Sequence, residues 1–277
     1  MKDYLLYTSA GKAANIKQWY SSPDRNYDIW VTNYSDIRLL NKEYSDYYNQ
    51  HKGSKFQNLY HIYKENRDML SKYAAIMVID DDVIISPRSL SLLFDLMIER
   101  NLWLLQPAFS RIGKISHPIT KRQLISEIRY TNFVEITCPI IKTNKLIEFL
   151  KVYRPEISTC AGLDYWMPYY FGIDYKDKYA ISDKFYCINP RTWRKPGRYR
   201  PIDLITNKQE RIQMVDNIYK IIGIKEFKYH EYKRVKRRSL EVFECLPFYI
   251  FEIIYSKMII FISNFLKVVK KFIKHRS

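Results

Sequence analysis

Apolar and polar positions alternate along the chain in two rhythms. Short apolar runs recur at Tyr4–Thr8, Tyr27–Thr32, Ala74–Ile79 and Leu102–Gln106. Each is too short for a helix and ends in polar or turn-forming residues, so each predicts a strand. Ala74–Ile79 (AAIMVI) is the strongest of them, an unbroken apolar run suited to a sheet covered on both faces. Between the runs lie segments of helical spacing: residues 13–20, 56–70 and 88–100. Ser86 caps the last of these and Pro87 occupies its first position. Further on, Phe133–Lys142 and Tyr179–Ile188 predict strands and Asn144–Val152 a helix, while Gly162–Phe171 fits an aromatic helix or loop. Strands alternating with helices in this way predict an α/β domain built on a mostly parallel sheet flanked by helices. Ligands of such sheets sit beyond the carboxyl ends of the strands.

Near residue 225 the pattern changes, dividing the chain into a catalytic domain, 1–224, and an appendage, 225–277. Lys225, Lys228, Lys233, Arg234, Lys236, Arg237 and Arg238 form a basic run, followed by a helical segment over residues 246–274. At 100° per residue, Glu252, Ser256, Ser263, Lys267, Lys270, Lys271 and Lys274 share one side of this helix. Ile254, Met258, Phe261, Ile262, Phe265, Val269 and Phe272 share the other. Glu252 and Lys257 make the segment a poor membrane span. It suits an amphipathic helix lying in the interface of an anionic membrane, where each nearby Lys or Arg adds about 1 kcal/mol. Packing of the helix on the protein's own core is the alternative.

Composition narrows the partners. The chain has 277 residues, 47% hydrophobic, with 7 Gly and 11 Pro, which suits one sizeable core and excludes a fibrous or disordered chain. The net charge of +17 favours anionic partners. A nucleic-acid-binding protein is disfavoured, because the basic run adjoins an apolar helical face and no nucleic-acid motif is present. Cys138, Cys160, Cys187 and Cys245 match no zinc template and suggest reduced thiols. The N-terminus turns polar at Thr8-Ser9, too early for a secretory leader, so the expected location is cytoplasmic, peripheral on the inner face of the plasma membrane.

The candidate chemistry lies at the end of the strongest strand, in Asp80-Asp81-Asp82. Adjacent carboxylates repel, and a divalent cation such as Mg²⁺ or Mn²⁺ relieves that repulsion with hard oxygen ligands. In an extended strand Asp80 and Asp82 point the same way and Asp81 the other, so Asp80 and Asp82 can share one metal. If an acceptor hydroxyl must be deprotonated, Asp164 is the first choice of general base and Glu135 the second. A helix-capping role for Asp164, or an ion pair of Glu135 with Arg129, is the structural alternative.

The wider order of short motifs resembles a known pattern. Lys52-Gly53-Ser54-Lys55 precedes Val78–Asp82 (VIDDD). Then come Gln106-Pro107-Ala108, His117-Pro118-Ile119-Thr120, Phe133-Val134-Glu135-Ile136 and Gly162-Leu163-Asp164. Over roughly residues 50–190 this order resembles a GT-A-like glycosyltransferase domain family carrying KGxKW, a WDED-type strand, QPAL, HxIT, WVE and WGLD in succession. The resemblance implies a GT-A (Rossmann-like) fold, a nucleotide-sugar donor and a divalent metal. Asp80 would face the ribose or metal, and Asp82 would ligate the metal. Lys52, Lys55, His117, Arg191 and Arg194 become candidates for the donor, and Tyr165 and Trp166 for the acceptor. Where that family has a His near its last core strand, this chain has Asn189, a weaker oxygen ligand for the metal. The implied activity is sugar transfer, with inversion, to a glycan or lipid-linked acceptor in cell-surface polysaccharide synthesis, lipopolysaccharide or capsule. A non-catalytic GT-A-like partner in an assembly complex is the alternative that Asn189 raises.

Overall fold

The computed structural model describes residues 1–12, 14–156, 160–191 and 207–274, without the side chains of 263 and 266–274. The apolar runs become the inner strands of a nine-stranded mixed sheet. These are β1 (Tyr4–Ala10), β2 (Tyr27–Asn33), β4 (Ala75–Asp80) and β5 (Leu104–Phe109). β3 (Tyr47–Gln50), β6 (Ser126–Thr131), β7 (Ile140–Lys142), β8 (Tyr179–Cys187) and β9 (Glu231–Lys236) complete the order β3-β2-β1-β4-β7-β5-β8-β6-β9. The β3-β2-β1-β4 half is parallel, as expected of strands joined through helices. In the other half only β5 and β8 pair in parallel, and β7, β6 and β9 run antiparallel to their neighbours.

Side chains of each central strand alternate between two apolar layers. Leu6, Met77 and Ile79 face α1 (Ile16–Tyr20) and α3 (Pro87–Glu99), while Leu5, Tyr7, Ile76 and Val78 face α2 (Lys55–Leu70), α4 (Thr143–Val152) and α5 (Leu163–Phe171). α3 begins as the sequence predicts, with Ser86 Oγ accepting from Ser89 N at 3.1 Å and Pro87 in the first turn. Two further helices follow, α6 (Lys208–Ile222) and α7 (Ser239–Lys274). Ile218 of α6 packs against Gly162, whose φ of +87° and lack of Cβ let the two helices approach.

Two sequence expectations are corrected here. The strand expected over Phe133–Lys142 is limited to Ile140–Lys142, and the preceding segment is buried but irregular. Its backbone still receives bonds from β4, Val78 N to Pro139 O and Asp80 N to Thr137 O, both 2.9 Å. Pro139 has no N–H to return, which interrupts the ladder. The basic run is in part the edge strand β9, paired with β6. Lysine on a sheet edge discourages pairing with another chain.

α7 is longer than expected and carries Pro247 inside it. Its Ser239–Ile262 portion is long and apolar enough to cross a membrane, by length and composition alone. Glu252, expected on a solvated face, is fully buried against the sheet's end and ion-paired with Arg122 at 3.0 Å.

Candidate active site

The acidic triplet forms a turn just past the carboxyl end of β4, closed by Val83 N donating to Asp80 O at 3.2 Å. Asp81 points back into the protein, where its Oδ2 accepts from Gly11 N at 2.9 Å. The loop after β1 holds the turn from the other side. Asn15 N donates to Asp81 O at 2.7 Å, and Asn15 Nδ2 to Asp82 O at 2.8 Å. The ends of β1 and β4 thus shape the triplet together, and Asn15 is a structural residue the sequence reading missed. The position of Asn15 just beyond the first strand was the available signal.

Asp80 has a counter-charge of its own. Lys55, the first residue of α2, lies 2.7 Å from Asp80 Oδ1, with side-chain exposures of 7% and 48%. Its ammonium also donates to Ile136 O at 2.7 Å, Thr137 O at 3.1 Å and Val78 O at 3.3 Å. An ammonium at a helix N-terminus opposes the helix dipole, so these four oxygens are what hold it there. The expectation that Lys55 meets donor phosphates is corrected: it is buried, orients Asp80 and ties β4 to the segment carrying Glu135. Lys52 lies on the surface, paired with Asp36 at 2.6 Å.

The remaining motifs converge beside this turn. Gln106 Oε1 accepts from the backbone N–H of Glu135 in a short hydrogen bond. Thr137 Oγ1 donates to Glu135 Oε1 at 2.9 Å. Thr120 Oγ1 is 2.8 Å from His117 O and 3.4 Å from Glu135 Oε2. Its single proton belongs to the shorter contact, so the longer one suits a Glu135 carboxyl that carries the proton itself. Burial pushes the Glu135 carboxyl up to about 7. Arg129 is not its partner: that guanidinium binds Asp183 at 2.7 Å deep in the sheet.

Asp164 lies in the first turn of α5, whose N-cap is Gly162. Burial, and secondarily the charge of Glu135, push its carboxyl up to about 7. Its Oδ1 is buried with no hydrogen-bond partner among the described residues, while Oδ2 lies 3.5 Å from His117 Nε2. Burial pushes His117 down to about 4, so the imidazole is neutral at physiological pH and the contact is not an ion pair. Tyr229 Oη is 2.8 Å from Nδ1; with the phenol donating there, the ring proton sits on Nε2. His117, which the sequence suggested for the donor, lies between the Tyr229 phenol and the Asp164 carboxyl.

An aromatic wall closes this side. Phe133, Tyr165, Phe227 and Tyr229 pack ring against ring, with centroids 5.0–5.7 Å apart. Tyr165 is part of that wall. Trp166 is turned away into the core against Phe149, which corrects its expected place on the acceptor.

Beside the triplet, Ile84 and Ile188 exchange backbone hydrogen bonds of 2.9 Å, which brings the end of β8 to the loop after β4, and the residues that follow meet the loop after β5. Asn189 O accepts from Lys114 N at 2.7 Å, and a Cβ on Gly113 would lie 2.6 Å from that same oxygen. The tight approach requires glycine at 113 and sets Asn189 beside this loop. Arg191 joins it there, its Nε 3.4 Å from Ile112 O. Lys114, exposed and not foreseen, is the cation whose field acts on both Glu135 and His117. Arg194 lies outside the described residues. No group of three His, Cys, Asp or Glu side chains positioned to hold a metal occurs among the described residues. Asp80, Asp82 and Asn189, the metal ligands expected from the sequence, carry hard-oxygen donors, the type that Mg²⁺ or Mn²⁺ takes.

No family model matches the chain, and no curated protein sequence matches it. Its likeness to known proteins is one of structure. The crystal structure of S. aureus TarS 1–349 in complex with UDP-GlcNAc matches over 80% of this chain and 66% of that one, with a TM-score of 0.52 and 13% identity. The fold is GT-A-like. A second crystal structure of S. aureus TarS 1–349 matches over 69% of this chain and 60% of that one, at 14% identity and a TM-score of 0.45. At that score it adds nothing to the argument. The chain thus spans 60% and 66% of the length of these two neighbours.

Proposed function

We propose that the protein is a glycosyltransferase that moves a sugar from a nucleotide-sugar donor to a glycan or lipid-linked acceptor of cell-surface polysaccharide synthesis, lipopolysaccharide or capsule. The observation that carries this is the convergence of the scattered motifs on two buried carboxyls, Asp164 and Glu135, beside an acidic turn on a GT-A-like sheet. Support also comes from the neighbour of TM-score 0.52, which is described as a complex with UDP-GlcNAc.

In this reading Asp164 is the general base. A carboxyl titrating near 7 is ionised in half the molecules at neutral pH and is basic enough to take a hydroxyl proton, the compromise that acid–base catalysis favours. As the acceptor oxygen attacks the anomeric carbon, its proton passes to the Asp164 carboxylate. The bond from that carbon to phosphate oxygen breaks on the far face, the nucleoside diphosphate leaves with the electron pair, and the configuration inverts. His117 holds the base, and Tyr165 and Tyr229 shield it from water. Asp80 and Asp82, with Asn189, would hold Mn²⁺ or Mg²⁺, which neutralises charge on the diphosphate. Lys114 and Arg191 border the same side and suit phosphate oxygens.

A thermal-shift screen of nucleotides and nucleotide-sugars, with and without Mn²⁺, tests this, because a ligand of the folded state raises the midpoint. A nucleotide-sugar that stabilises the protein only with metal, and not the Asp82→Ala variant, is the expected result. No shift with any nucleotide would overturn the proposal and favour the non-catalytic partner that Asn189 first suggested.

A further inference from the structure

We propose that the outward face of α7 docks flat on an anionic lipid surface, with the catalytic domain fastened to the helix from the same side of the membrane. The surface exists whatever reaction the domain performs. Leu240, Phe243, Phe251, Ile254, Met258 and Phe261 are all at least half exposed along one helix. Six large apolar side chains along one stripe of the helix form an exposed patch, and such patches mark protein or membrane contacts.

Two observations decide what covers it. The first is charge. Residues 225–277 hold thirteen Lys and Arg against five Glu. Lys236 and Arg238, both exposed, stand just ahead of the first turn of α7, and Lys257 is exposed on the helix itself. Two copies meeting through this face would bring like charges together, whereas a lipid surface bearing negative headgroups offers apolar chains to the rings and counter-charge to the lysines.

The second is Glu252, which decides how the helix lies. It is fully buried, its Oε2 is 3.0 Å from Arg122 Nη1, and its Oε1 accepts a short hydrogen bond from Ser110. Arg122 is itself buried and stacked on Tyr186, 3.7 Å from the ring centroid. Nearby, Arg111 Nη2 donates to Tyr249 Oη at 2.7 Å. The middle of α7 is therefore clamped to the end of the sheet. A helix threaded through a bilayer would have to strip Glu252 from Arg122 and leave both charges unpaired. The Glu252 face belongs to the protein and the opposite face to the lipid, so α7 lies along the surface and does not cross it. The cytoplasmic leaflet of the plasma membrane, which is anionic, is the surface of this chemistry.

Flotation of the full chain with phosphatidylglycerol–phosphatidylcholine vesicles and with pure phosphatidylcholine vesicles tests the proposal. The chain is expected to float with the anionic vesicles, at least about tenfold better than with neutral ones, and to be released by carbonate at high pH. Ile254→Glu with Phe261→Glu should lose flotation and keep the wild-type circular dichroism, since these side chains are 62% and 72% exposed. Lys236→Glu with Arg238→Glu should lose the preference for anionic vesicles. Absence of flotation, equal binding to both vesicles, resistance to carbonate, or a dimer in solution that Ile254→Glu and Phe261→Glu dissolve would each overturn it.

Discussion

The chemistry at the residue scale turns on Asp164, whose burial makes function and stability oppose each other. Its carboxyl titrates near 7 in the folded protein against 3.8 for the ordinary group. A raised folded value means that its contribution to stability is complete below about pH 4 and is lost as pH rises through 7. Asp164→Asn removes that loss, so the variant should melt above the wild type at pH 8 by on the order of 2–4 kcal/mol and show little difference at pH 4. Calorimetry at the two pH values checks this. The same variant should lose sugar transfer by about 10²–10⁴-fold. A carboxylate with only a structural role would give the opposite sign in stability. Glu135 titrates in the same range and raises Asp164, so the rate should climb through pH 7 with apparent values that belong to the pair. Glu135→Gln should lower the midpoint of that climb, because one neighbouring negative charge is gone; a pH–rate profile reads it.

Two ion pairs connect elements, one half-buried and one fully buried. Lys55 joins α2 to β4 and to the segment carrying Glu135. Lys55→Met removes the ammonium from Val78 O, Ile136 O and Thr137 O and leaves Asp80 without its cation, and should destabilise the protein by about 2–4 kcal/mol, measured by urea unfolding. Glu252→Ala should cost about 3–5 kcal/mol by stranding Arg122, whereas Arg122→Met with Glu252→Met should be near neutral. The elements differed in how legible they were from sequence. The inner strands β1, β2 and β4 stood out because both their faces are buried, leaving unbroken apolar runs. β3 and β9 escaped notice because edge strands carry polar and charged residues, Asn49 and Gln50, Lys233 and Lys236, and β6, an inner strand, because Glu127 and Arg129 break its apolar run. Helix α6, capped by Asn207 and Glu210, escaped notice too, although that capping box is a readable signal. The order of motifs pointed to the site, but burial decided roles within it. Lys55, His117 and Trp166 read as ligand contacts, and each turned inward, because one-dimensional spacing does not tell which charge already has a partner.

At the scale of the whole molecule, the carboxyl ends of β1 and β4, the loop after β5 and the start of α5 surround one face of the sheet, and α7 is clamped to the sheet's end through Glu252. The residues proposed for sugar transfer are gathered there. The most direct test is to follow release of nucleoside diphosphate from the nucleotide-sugar that stabilises the protein, with Mn²⁺ present, for the wild type, Asp82→Ala and Asp164→Asn. Turnover by the wild type, with Asp82→Ala and Asp164→Asn folded but inactive, is the expected result. Turnover by Asp164→Asn at the wild-type rate would contradict the assignment of the site, and no turnover of any bound donor by the wild type would contradict the assignment of an activity.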